Sequence, residues 1–161
     1  MKYTILLAAL ATATPLTNLP GLNAGQTAHA RNIIRKNQDL KYGSQGCQIA
    51  ITTALTESSM LMYANSGVPA SLNYPHDKVG SDFDSVGLFQ QRASIYKDIK
   101  CDMDAQCSTG QFFSEMVRIV PAWKTTKVAD VCAKVQKPKV PHYQEHVAQA
   151  KQICDAAGVK G

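Results

Sequence analysis

The sequence predicts a mainly α fold in a single domain, with a central helix followed directly by a long irregular loop or small hairpin. Three observations predict it. Apolar residues recur at helical spacing in five separate segments. No run alternates long enough for a substantial sheet. Residues 64–84, "ANSGVPASLNYPHDKVGSDFD", form a 21-residue stretch with two Pro, two Gly and no sustained period, and a loop of that length inside a compact domain is usually functional or disordered. Its Tyr, Phe and Pro residues speak against disorder. A length of 161 residues suits one domain.

Each element has its own signal. Residues 1–13 read as a signal peptide, with Lys2 ahead of an apolar Ile5 to Leu10 core and a small-residue Ala11-Thr12-Ala13 cleavage site. The apolar run is far shorter than the ~20 residues a bilayer span needs. Residues 14–22 are either a pro-segment or an arm, and the domain occupies 23–161. A capping-box-like "NAGQ" at Asn23 opens a helix to about Asn37. The central helix is expected from about Gln45 to Tyr63, with Cys47, Ala50, Ile51, Ala54 and Leu55 on one face. Ser108 and Gln111 suggest a capping box for the next. "VADVCAKV" has Val128, Val131, Cys132 and Val135 at helical spacing, and a last helix runs from His142 to about Ala157. Trp123 is expected to anchor packing between helices.

The formal charge of +5 falls to +4 without Lys2, 16 basic residues against 12 acidic. A mildly basic secreted chain suits an anionic polymer or cell surface. Without a Lys/Arg run or aromatic-basic interleaving, nucleic acid is not the indicated partner. Five cysteines in an exported chain imply two disulfides and one thiol. Cys101 and Cys107 bracket a polar "DMDAQ" loop and are paired first. Cys132 and Cys154, on the apolar stripes of two helices, are paired second, leaving Cys47 buried and free. The cysteine spacings do not favour zinc.

Glu57, in "TALTESSM", sits at the shoulder of the central helix's apolar stripe, flanked by Ala50, Ala54 and Leu61. Half-shielding of this kind raises a carboxyl pKa, as a general acid for a glycosidic oxygen requires. A surface Glu ending a helix would share that position. "DSVGLFQQR", residues 84–92, combines a Gly that permits close backbone approach with two amides that both donate and accept. Such groups suit a carbohydrate. Leu88 and Phe89 also suit a core. Tyr74 and His76 could stack on or bond a sugar, or simply be exposed loop residues. His142 and His146, spaced i, i+4, lack the Glu and third ligand of a metal site.

Glu57-Ser58 at a helix end, followed by "GLFQQ" at 87–91, resembles the "ES" and "GLMQ" motifs of goose-type lysozymes and soluble lytic transglycosylases. The text is also similar to the "ALxES … DSxGLFQQR" pattern of small secreted lysozyme-like domains from actinobacteria and fungi, and "CAKVQKPKVPHYQEHVAQA" resembles their closing "VQ…P…Y" segment. The resemblance covers roughly residues 24–157. It implies a lysozyme-like fold and peptidoglycan as substrate; no cofactor is expected, and a monomer is. Chitin, which also presents N-acetylglucosamine, shares the same residues. By the same resemblance Glu57 protonates the leaving oxygen and Ser58 orients it or the substrate. Gly87 and Leu88 offer backbone groups to an N-acetylated sugar, Gln90 offers an amide, and Tyr143 lies near the acid. An inverting hydrolase also needs a base carboxylate, for which Asp84 is preferred over Asp82 and Asp77, with a purely structural turn role as its alternative; lytic transglycosylases use one Glu. A lysozyme-like fold used for binding alone is the alternative.

Overall fold

The computed structural model describes residues 17–161; the expected signal peptide and the first part of the following segment lie outside them. Seven α-helices and four very short strands make a mainly helical domain among the described residues. None of these helices is long and apolar enough to cross a membrane. In the segment preceding the first helix, Leu19 and Leu22 are buried in the core, and the Leu19 amide donates to the Thr27 hydroxyl at 3.0 Å.

Helix α1 (Ala24–Asp39) opens with the reciprocal capping box of Asn23 and Gln26. Helix α2 (Gly43–Ser58) is the centre of the molecule, packed against α1, α5 (Ala105–Ile119), α6 (Val128–Gln136) and α7 (Gln144–Ala156). Every residue from Ile49 to Leu55 is buried, so the helix is covered on all sides rather than along one stripe. Two threonines fall in this run, and Thr53 satisfies its hydroxyl on the Ile49 carbonyl at 2.8 Å.

The central helix ends at Ser58, five residues short of the expected Tyr63. Ser59 and Met60 adopt left-handed φ values of 54° and 61° and return their amides to Leu55 and Ala54. Met60 is fully buried, and apolar packing offsets the cost of a non-glycine left-handed conformation. Strand β1 (Tyr63–Asn65) follows, then a 3-10 turn at Pro69–Asn73 and strand β2 (Lys78–Gly80), which pairs parallel to β1. The hairpin lies later, where β3 (Ser85–Val86) pairs antiparallel with β4 (Gln91–Arg92). Short helices α3 (Ala93–Tyr96) and α4 (Ile99–Asp102) lead into α5.

Helix α5 starts at Ala105, with Asp104 as its cap, its carboxylate oxygen accepting from the Cys107 amide at 2.7 Å. Ser108 is therefore not a cap but an interior residue bonded to the Asp104 carbonyl. The "DMDAQ" segment is correspondingly not a polar loop: it joins two helices and buries Asp102, Met103 and Ala105. Trp123 is buried against Tyr42, their rings 4.9 Å apart.

Cys101 and Cys107 are bonded as expected, but the second bridge is Cys47–Cys154, and Cys132 is the buried thiol. Helical periodicity places Cys47, Cys132 and Cys154 all on apolar faces. It does not say which neighbour each face meets. Cys47 faces α7, whereas Cys132 approaches α2 from α6 and rests 3.5 Å from the Ile49 carbonyl. The bridge spans 107 residues, a closure worth about 4–5 kcal/mol in the chain-entropy account.

Candidate functional site

Glu57 occupies the last turn of α2 and is half-buried. Its neighbours come from distant parts of the chain. The Tyr143 hydroxyl, at the start of α7, donates to Glu57 Oε1, and the Gln136 amide, at the end of α6, stands near enough to the same carboxyl to favour its charge. Burial raises the Glu57 pKa, more than the Tyr143 bond and the nearby Gln136 amide lower it. Tyr143 is almost wholly enclosed, and its pKa is raised by burial and by the Glu57 charge. It remains protonated as a donor. Beneath them burial pushes the Cys132 thiol up to about 12, with the Glu57 charge adding to the effect, so the thiol stays neutral.

The hairpin "DSVGLFQQR" closes one side. Its tip is not solvated: Leu88 and Phe89 are buried, and Phe89 stacks on Phe112 at 4.8 Å. The tip carbonyls instead receive bonds from the residues around Glu57. Ser58 Oγ donates to Leu88 O at 2.8 Å, and Gln136 Nε2 donates to Phe89 O at 2.8 Å. Ser58 is buried and also bonds the Ala54 carbonyl, so it ties helix to hairpin. Gly87 donates its amide to Tyr63 O at 2.8 Å. At φ 78° it sits so close to Asp102 that a Cβ would come within 2.2 Å of that residue's carbonyl, hence only glycine fits. Gln90 bonds the Gly87 carbonyl through Nε2 at 3.0 Å; among the described residues its Oε1 takes no bond. Gly87 and Leu88 thus spend backbone groups on the fold, and Gln90 offers one amide oxygen outward.

The three aspartates differ in place and charge. Asp84 is paired with Arg92 and accepts the Ser94 amide at 2.7 Å. Bonds from Ser94 and Arg92 hold its carboxyl well below the usual carboxylate range, a poor setting for a general base. Asp77 is exposed and binds the Met62 amide at 2.7 Å and His29 at 2.8 Å. Burial works to raise its pKa, but these bonds and the charges of His29 and His76 bring it down. Asp82 is exposed, with its carbonyl held by Asn65 at 3.1 Å. Tyr74 is half-buried against the core, and its carbonyl accepts His76 Nδ1 at 2.7 Å. His142 pairs with Glu145, not His146.

Two residues were not singled out from sequence. Gln136 belongs to the quoted "VQ" pair, and its place at a helix end beside that motif was the available signal. Asp102 had none. It is fully buried beneath the hairpin with neither carboxylate oxygen bonded among the described residues, and burial raises its pKa to about 6, offset in part by the Gln111 amide and increased by the Asp98 charge. Separately, a 460 Å³ surface depression is lined by Ile95, Tyr96, Gln111, Ser114, Glu115 and Arg118; no member of the Glu57 cluster borders it. Comparison of the chain with protein-family models and with curated proteins finds no match to either.

Proposed function

We propose that the protein is a secreted, monomeric, lysozyme-like enzyme that cleaves the β-1,4 bond of N-acetylated bacterial wall glycan, with Glu57 as the general acid. The single observation that carries this reading is the Glu57 carboxyl, half-buried with a raised pKa and bonded by Tyr143. The two disulfides and the absence of a membrane-crossing helix among the described residues are compatible with secretion.

The chemistry follows from the bonding. Tyr143 occupies Oε1 as a donor, so the acid proton sits on Oε2. As the glycosidic C1–O bond breaks, that proton passes to the leaving oxygen and positive charge develops at C1. The carboxylate left behind is stabilised by the Tyr143 hydroxyl and the Gln136 amide, and it then takes the proton of the attacking hydroxyl. Because Asp84 is committed to Arg92 and Ser94, a one-carboxylate mechanism is favoured, in which the sugar's own hydroxyl attacks C1 and leaves an anhydro end.

Mass spectrometry of purified peptidoglycan digested by the wild type and by Glu57→Gln tests this. Anhydro-ended muropeptides from the wild type alone are expected. Reducing ends would restore a hydrolytic water and a second base, and the absence of soluble product from both peptidoglycan and chitin would leave glycan binding without cleavage.

A further inference from the structure

The turn at 82–85 displays a side chain that folding does not account for. The Ser85 amide returns to the Asp82 carbonyl at 3.1 Å, and the buried Asn65 clamps both arms, its Nδ2 donating to Asp82 O at 3.1 Å and Ser85 O at 3.0 Å. Phe83, the first central residue, has φ 46°. Glycine, asparagine or aspartate are the ordinary occupants of that conformation, and a bulky aromatic there is an outlier. The residue is 77% exposed. Neither turn geometry nor core packing favours phenylalanine here, and an observed outlier of this kind points toward a use.

The ring is nonetheless held. The Arg92 guanidinium stands 5.1 Å from its centroid, Asp84 pairs with Arg92, and the Ser94 amide fixes the other oxygen of Asp84. The chain Ser94–Asp84–Arg92–Phe83 backs one face of the ring and leaves the other to solvent. The same hairpin runs on to the Glu57 cluster, where Leu88 and Phe89 bond Ser58 and Gln136. Five residues separate Phe83 from Leu88, at most about 18 Å of extended chain.

We infer that Phe83 is a stacking platform for a sugar ring of an N-acetylated glycan strand extending from the Glu57 site. The inference rests on the proposed glycan-directed reading of that site. One face of a β-linked pyranose presents C–H bonds, which pack on the electron-rich face of an aromatic ring. Orientation of the ring by Arg92 before binding reduces the freedom lost when the sugar docks.

Phe83→Gly and Phe83→Trp, each made in the non-cleaving Glu57→Gln chain, are sedimented with insoluble purified peptidoglycan and titrated with an N-acetylglucosamine oligomer. Phe83→Gly is expected to weaken both interactions several-fold while leaving the melting temperature equal or higher, since glycine relieves φ 46°. Phe83→Trp is expected to retain binding. Unchanged binding by Phe83→Gly overturns the platform even if the wild type cleaves peptidoglycan. Phe83-dependent binding without wild-type cleavage keeps the platform and removes the enzymatic reading. Absence of binding to both glycans, or a fall in melting temperature with Phe83→Gly, overturns the inference.

Discussion

The Tyr143 hydroxyl donates to Glu57 Oε1 across 86 residues of sequence, joining the start of the last helix to the end of the central one. Because this bond favours the ionised carboxylate, it opposes the burial that raises the Glu57 pKa. Tyr143→Phe is therefore expected to raise that pKa further. The alkaline limb of the activity profile should move to higher pH while turnover falls. A limb that stays in place, measured by peptidoglycan clearance across pH, would mean that Glu57 does not set it.

Glu57→Gln should preserve the fold and remove activity by about a hundredfold to ten-thousandfold, because an amide cannot supply the proton. Thermal melting checks the first part and turbidity clearance the second. Clearance at the wild-type rate would remove Glu57 from the mechanism.

Asp102 makes a separate prediction about stability. Its folded pKa is raised from 3.8 to about 6, so between those values the folded chain binds more protons than the unfolded one, and this contribution to stability is lost as pH rises through the window. Asp84 and Asp77, whose pKa values are lowered, act in the opposite direction at lower pH. The comparison must therefore be between proteins. The stability advantage of Asp102→Asn over the wild type should grow from pH 4 to pH 7; an equal difference at both ends would show that Asp102 ionises freely.

Gly87→Ala should destabilise by ~2–3 kcal/mol or more, since φ 78° and a 2.2 Å approach to the Asp102 backbone leave no place for a methyl group. Denaturant unfolding measures it. Loss of less than ~0.5 kcal/mol would show that the hairpin can shift away from α4.

Peptide mapping without reduction should recover Cys47 with Cys154 and Cys101 with Cys107. Cys47→Ala should cost several kcal/mol by opening the 107-residue closure. Cys132→Ala should leave both bridges intact, and a Cys132 cross-link in the native protein would overturn the assignment.

Sequence by itself determined the presence of α1, α2, α6 and α7, though not of the short α3 and α4, because apolar spacing reports which residues avoid water whatever they later touch. It also read Glu57 as a half-shielded carboxyl near the end of the central helix, and with that the direction of its pKa shift, since desolvation depends on how much of the side chain is covered more than on the identity of the cover. Tertiary structure alone decided the partners. Cys47, Cys132 and Cys154 all lie on apolar faces, yet only the packing of α2 between α6 and α7 selects Cys47–Cys154. Asp84 is the base carboxylate preferred from sequence, and the antiparallel register of Ser85 with Arg92 brings a cation onto it. The burial of Asp102 and the clamp of Asn65 on residues 82–85 are likewise long-range. Local periodicity encodes which face turns inward; which two faces meet depends on the closure of the whole chain around its core.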